Sequence, residues 1–129
     1  VMERLRKMEQ AGVIRGYHAQ VDARKVGLDV AAFIGVAIGD PKHLRAFETY
    51  VDETTEILEC HHVTGGHTLL LKVRARNTAA LEKLISSIRA LEGVDGTETM
   101  VILSTRTERI PLPLEVPDED PPRRRRKRA

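Results

Sequence analysis

The sequence predicts an α+β sandwich: a four-stranded antiparallel sheet with two helices on one face, in the order βαββαβ. Three observations predict it. Residues 58–73 (LECHHVTGGHTLLLKV) set two β-rich runs around the pair Gly65, Gly66, a strong hairpin signal. One helical pattern precedes that hairpin and another follows it. Strand-like runs at 30–38 and 97–105 open and close the set.

Each element has its own warrant. Residues 1–11 read as helix, because Val1, Leu5 and Met8 recur at helical spacing while Arg4 and Lys7 share another face. Gly12 suits the position just past the end of that helix. Residues 13–21 read as extended and 22–28 as a turn. In the strand at 30–38, Val30, Ala32, Ile34, Val36 and Ile38 line one face; Ala31, Phe33, Gly35 and Ala37 line the other. Both faces are apolar or small, so both should be covered. Asp40 as cap and Pro41 at the first position start a helix that runs to residue 53 and buries Leu44, Phe47 and Val51. Asn77 caps the next helix, whose stripe is Leu81, Leu84, Ile85, Ile88 and Leu91, and Gly93 stops it. Residues 97–105 alternate weakly but are rich in β-branched side chains, which favours a last strand. The order is the ferredoxin-like one.

Composition narrows the classes. At 129 residues the chain is one domain with short appendages, and with 41% hydrophobic but only 3% aromatic residues its core is aliphatic. A single cysteine, Cys60, excludes an internal disulfide framework and suits a reducing compartment. No apolar run approaches the roughly 20 residues of a membrane span and no signal peptide is visible, so no membrane partner and a cytoplasmic location are expected. The net charge of +2 is uneven: residues 123–128 (RRRRKR) hold six of the 21 basic side chains. Residues 1–117 carry 15 basic and 16 acidic groups, so the folded body lacks the basic excess of a nucleic-acid surface. Five of the six prolines follow Ile110, and residues 111–129 read as a disordered Pro-rich and basic tail. The basic block could attract nucleic acid without reading its sequence; the plainer reading is a solvated end partly neutralised by Asp118, Glu119 and Asp120. The first residue is Val1 rather than Met, which suggests a fragment.

A two-residue loop at Gly65 and Gly66 sets the hairpin register. Thr64 would then oppose His67, His62 would oppose Leu69, and Cys60 would oppose Leu71. Directly opposed residues share a face. Leu58, Cys60, His62, Leu69, Leu71 and Val73 would face the helices. Ile57, Glu59, His61, Val63, Thr68, Leu70, Lys72 and Arg74 would face away, with Glu59 and Lys72 forming a cross-strand ion pair. Phe33, Ile57, Val63 and Leu70 leave an apolar face in need of a partner, and dimerisation through the sheet is the simplest solution.

Three blocks, EQAGVIRGYHAQVDARKVGL, LECHHVTGGHTLLLKV and LEGVDGTETMVIL, together resemble the Lrp/AsnC (leucine-responsive, feast/famine) transcription regulators over about residues 1–106. The resemblance implies an N-terminal helix-turn-helix and a C-terminal ferredoxin-like domain that dimerises and often builds octamers. It also implies an amino acid or related metabolite as effector, promoter DNA as partner, and no cofactor. Residues 1–12 match only the end of the recognition helix. Arg4 and Lys7 could contact phosphates in an intact protein, but without supporting helices this segment has no fixed docking geometry. Its plainer reading is a stub packed on the effector domain. The divisions expected are 1–12 recognition-helix remnant, 13–28 linker strand and turn, 29–110 effector-binding and oligomerisation domain, and 111–129 tail.

The family places effectors between dimers, near this hairpin and the start of the last strand. That implies a site of Thr64, Gly65, Gly66, His67, Thr68, Thr97, Glu98 and Thr99. Family members commonly carry an acid and an aromatic after the first glycine, then an aspartate; here Gly66, His67 and Thr68 stand in those places. Glycine N–H groups can hold a carboxylate, and Glu98 could replace the missing acid. The plainer reading is a turn beside strand-favouring threonines. Cys60, His61, His62 and His67 raise a metal-responsive regulator as an alternative, but alternation turns His61 from the other three and no fourth ligand is evident. A small dimeric enzyme of this fold is the other alternative; no nucleophile and base stand at a recognisable spacing, so no catalytic residue is assigned.

Overall fold

A computed structural model describes residues 2–109. Helix α1 (Met2–Gln10) precedes a body built from β1 (Val30–Ile38), α2 (Leu44–Asp52), β2 (Ile57–His62), β3 (Leu69–Ala75), α3 (Thr78–Arg89) and β4 (Val94–Val101). The strands form one antiparallel sheet in the order β2-β3-β1-β4, the ferredoxin-like arrangement. Helices α2 and α3 cover one face. The tail expected over 111–129 lies outside the described residues.

The core is aliphatic. Ala32, Ile34, Val36 and Ile38 of β1 and Leu69, Leu71, Val73 and Ala75 of β3 meet Phe47 of α2 and Leu81, Leu84 and Ile88 of α3. The N-terminus of α3 is capped as its sequence predicts, Asn77 Oδ1 accepting the Ala80 N–H at 2.8 Å. Asp40 also caps, accepting the Lys42 N–H at 3.1 Å, but it opens a single 3-10 turn (Pro41–His43) and α2 begins only at Leu44. The i to i+3 bond from His43 N–H to the Asp40 carbonyl accounts for the tighter turn.

The hairpin keeps the expected register at Glu59–Lys72, Cys60–Leu71, His61–Leu70 and His62–Leu69, and departs from it toward the start of β2. Toward its start, β2 carries a bulge: Ile57 opposes Val73 while Glu59 opposes Lys72. The extra residue reverses the alternation. Ile57 is therefore in the core (8% exposed) and Leu58 is turned outward (55% exposed). Ile57 does not belong to the open face, and Leu58 does not face the helices. Toward the turn, strand pairing stops at His62 and Leu69. The Val63 N–H bonds to the Thr68 carbonyl at 3.2 Å, enclosing a four-residue loop, 64–67, in place of the two-residue turn.

Other elements also shift. β4 runs from Val94 to Val101, earlier than 97–105, because it pairs along β1 from Ile38 down to Ala32. Residues 13–21 form no strand, having no partner among the described residues. Helix α1 ends at Gly12 (φ 82°), where the Val13 N–H reaches back to the Met8 carbonyl at 2.8 Å. No residue of α1 is buried, so the stub is not packed into the core. No helix of the described residues is long and apolar enough to cross a membrane.

Candidate functional site

The face of the sheet away from α2 and α3 is covered at one end by the chain itself. The Arg74 guanidinium donates to the Leu28 carbonyl at 2.9 Å, while the Ile102 N–H, donating to the Ala31 carbonyl at 2.8 Å, extends the β1–β4 pairing. Lys72 Nζ lies 3.3 Å from Glu108 rather than on Glu59, whose carboxylate instead meets His61 Nε2 at 2.9 Å. The expected cross-strand ion pair is thus replaced, although the two residues do oppose each other. Toward the hairpin the face stays open. Phe33 and Leu70 are half-buried there, Val63 is 38% exposed and Met100 is 47% exposed. Met100 is an addition; it opposes Phe33, and the parity of β4 places it with Glu98.

Above this region stands the tip. Gly65 has φ 111°, a left-handed conformation that side chains rarely adopt, whereas a Cβ on Gly66 would meet nothing within 4 Å. Among the described residues, no hydrogen bond takes the N–H of Gly65 or Gly66, and both are exposed. His67 folds back over the open face, contrary to its expected helix-side placement. Its ring lies where a Cβ on Gly35 would come within 2.8 Å, and its Nε2 sits 3.4 Å from Glu98 Oε1. Thr68 spends its hydroxyl internally, accepting the Ile38 N–H at 3.0 Å and donating to the Ile38 carbonyl at 3.1 Å.

The structure brings His67 and Glu98 together, with Thr64, Gly65 and Gly66 exposed in the loop that leads into His67. It does not bring Thr97 and Thr99 with them. Thr97 opposes Val36 and Thr99 opposes Ile34, both core-facing, so these threonines point to the helix side. Thr97 instead lines a cleft of about 350 Å³ with Arg89, Val94, Asp95 and Gly96. Gly35 was not singled out by sequence; the signal was a glycine inside an otherwise apolar strand, which marks a close approach by another group.

The cysteine and histidines divide between faces. Cys60 and His62 lie on the helix side, where His62 Nε2 is 3.4 Å from Glu48. His61 and His67 lie on the open side. Among the described residues, no group of three or more His, Cys, Asp or Glu side chains is placed to hold a metal ion. Partial burial pushes the Cys60 thiol up, and the nearby Glu48 and Asp52 carboxylates raise it further, so it is a poor nucleophile. Arg4 and Lys7 are exposed on α1.

Comparison with known proteins agrees with this fold. Residues 31–112 match the Lrp/AsnC ligand binding domain. The HTH-type transcriptional regulator FL11 of Pyrococcus abyssi is 32% identical over 114 residues, 88% of this chain and 75% of that protein. The structure of E. coli AsnC superposes with a TM-score of 0.78 at 30% identity, covering 84% of this chain and 73% of AsnC. The transcriptional regulator NMB0573 of Neisseria meningitidis, solved as an L-Met complex, gives a TM-score of 0.82 at 28% identity, covering 87% and 74%. The chain belongs to the Lrp/AsnC family and carries the ligand-sensing domain of such a transcription regulator.

Proposed function

We propose that this chain senses an amino acid or closely related metabolite at the hairpin tip and couples its binding to the assembly of several copies through the open sheet face. One observation carries the site: the free N–H groups of Gly65 and Gly66 stand next to His67, which touches the exposed carboxylate of Glu98. Such a tip offers donors for an α-carboxylate and an acceptor for an α-ammonium. The L-Met complex of NMB0573 supports an amino acid as the class of ligand. The half-buried Phe33 and Leu70, with Val63 and Met100, supply the dimer face. A metabolite that binds one assembly state better than another shifts the balance between them, and only to the extent of that difference. In the intact regulator, located in the cytoplasm with its promoters, that shift changes the spacing of DNA-contacting helices to which Arg4 and Lys7 belong. The role is regulatory and not enzymatic.

Gly66→Leu tests the site. Position 66 has room for a side chain and Gly65 keeps its left-handed turn, so the fold should survive. Saturable amino-acid binding by calorimetry should be lost or weakened at least about tenfold, since a bulky group blocks access to the tip donors. Unchanged affinity in the folded variant would move the site elsewhere.

A further inference from the structure

Thr68 does work at the tip that a strand residue would otherwise share with its neighbour. β3 begins at Leu69, yet β1 continues to Ile38, which is only 6% exposed, so its backbone N–H and carbonyl need partners. Both go to one atom. The Ile38 N–H donates to Thr68 Oγ1 at 3.0 Å, and the same hydroxyl donates to the Ile38 carbonyl at 3.1 Å. The Thr68 N–H adds a bond to the Val36 carbonyl at 2.9 Å. With β1 satisfied by residue 68 alone, His67 is free to leave the sheet plane. Its ring settles over the bare Gly35 and reaches Glu98 of the adjoining strand at 3.4 Å.

We infer that Thr68 is a positioning residue: its hydroxyl clamp on Ile38 holds His67 against Glu98, making that pair, and not side chain 68, the ligand-facing chemistry of the tip. The chemistry of position 68 is restrictive. A hydroxyl accepts and donates at once, whereas an ionised carboxylate only accepts and would leave the Ile38 carbonyl without its donor. The clamp stands on these contacts alone; its part in sensing rests on the proposed effector site. The Glu98 carboxylate stays exposed 3.4 Å from the His67 ring, so a ligand arriving there meets both side chains, which favours ligands able to satisfy His67 as well.

NMR on the full chain without effector tests the inference. The His67 ring signals are assigned by their loss in His67→Gln. Thr68→Val removes the hydroxyl at nearly constant shape. It should move the His67 signals to where they lie in Glu98→Gln and cut exchange protection at the Ile38 amide by about tenfold, the scale of one hydrogen bond. Thr68→Ser should restore both. His67 signals unchanged in Thr68→Val would overturn the clamp's role. Should Thr68→Val not fold, Glu98→Gln at its exposed site decides, because unmoved His67 signals there would show that no pair exists. No ligand enters the experiment, so a failure of the effector reading leaves its outcome intact, and the reverse also holds.

Discussion

Ile57→Ala should destabilise the chain by about 2–4 kcal/mol, whereas Leu58→Ala should change stability by less than about 1 kcal/mol. The two residues are adjacent, of equal size and equal hydropathic character. Uninterrupted alternation from the register at Cys60–Leu71 would put Leu58 inside and Ile57 outside. The bulge reverses them, leaving Ile57 8% exposed beside Val73 and Leu58 55% exposed. Truncating a buried Ile loses its transfer free energy and leaves a cavity, while truncating an exposed Leu loses little of either. At roughly 4–8 °C per kcal/mol for a domain of this size, Ile57→Ala should lower Tm by about 10–30 °C. Equal shifts, or a larger one for Leu58→Ala, would mean that β2 has no bulge.

Leu70→Asp should reduce self-association by about 10²–10⁴-fold while leaving the fold in place. Leu70 opposes Gly35 on one side and His61 on the other, on the face away from the helices. In a single chain the added carboxylate still reaches water, because this end of the face is open. In a sheet-to-sheet dimer it would be buried without a partner, at a cost of about 3–5 kcal/mol. Light scattering at micromolar concentration should then show a monomer where the unaltered chain gives a dimer or a multiple of dimers. An unchanged mass would show that the open face is not the interface.

Much of the fold was legible because local signals agreed with each other. Asn77, the stripe from Leu81 to Ile88 and the two-faced strand of Val30, Ile34 and Phe33 all point to one architecture, and the central hairpin register follows from centring the turn on Gly65 and Gly66. The departures have a common cause: a side chain or an extra residue replacing regular backbone pairing. Period-two reading has no means of detecting the inserted residue at Leu58. The loop reads as two residues because nothing in GGHT announces that the Thr68 hydroxyl will satisfy Ile38 and release His67 from the strand. The early start of β4 was hidden by Gly96, which weakens alternation where the strand pairs with Ala37.

The candidate site was legible in position more than in composition. The resemblance pointed to the tip and the last strand, and Glu98 does meet His67 there. Thr97 and Thr99 enter the implied site with Glu98 because the resemblance points to the start of the last strand as a whole, although strand parity alone sends them to the opposite face. The same parity, applied consistently, would have recovered Met100. Position 68 is the instructive case: a residue that looked like a missing ligand contact has its hydrogen-bonding capacity directed at the main chain.

The most direct test of the account is calorimetry of this chain against the amino acids, with mass measured by light scattering on the same samples. Saturable binding of at least one amino acid, accompanied by a shift among dimer-based assemblies, is the predicted result. No binding across the set, or binding that leaves the assembly state unchanged at saturation, would contradict the coupling of effector to assembly.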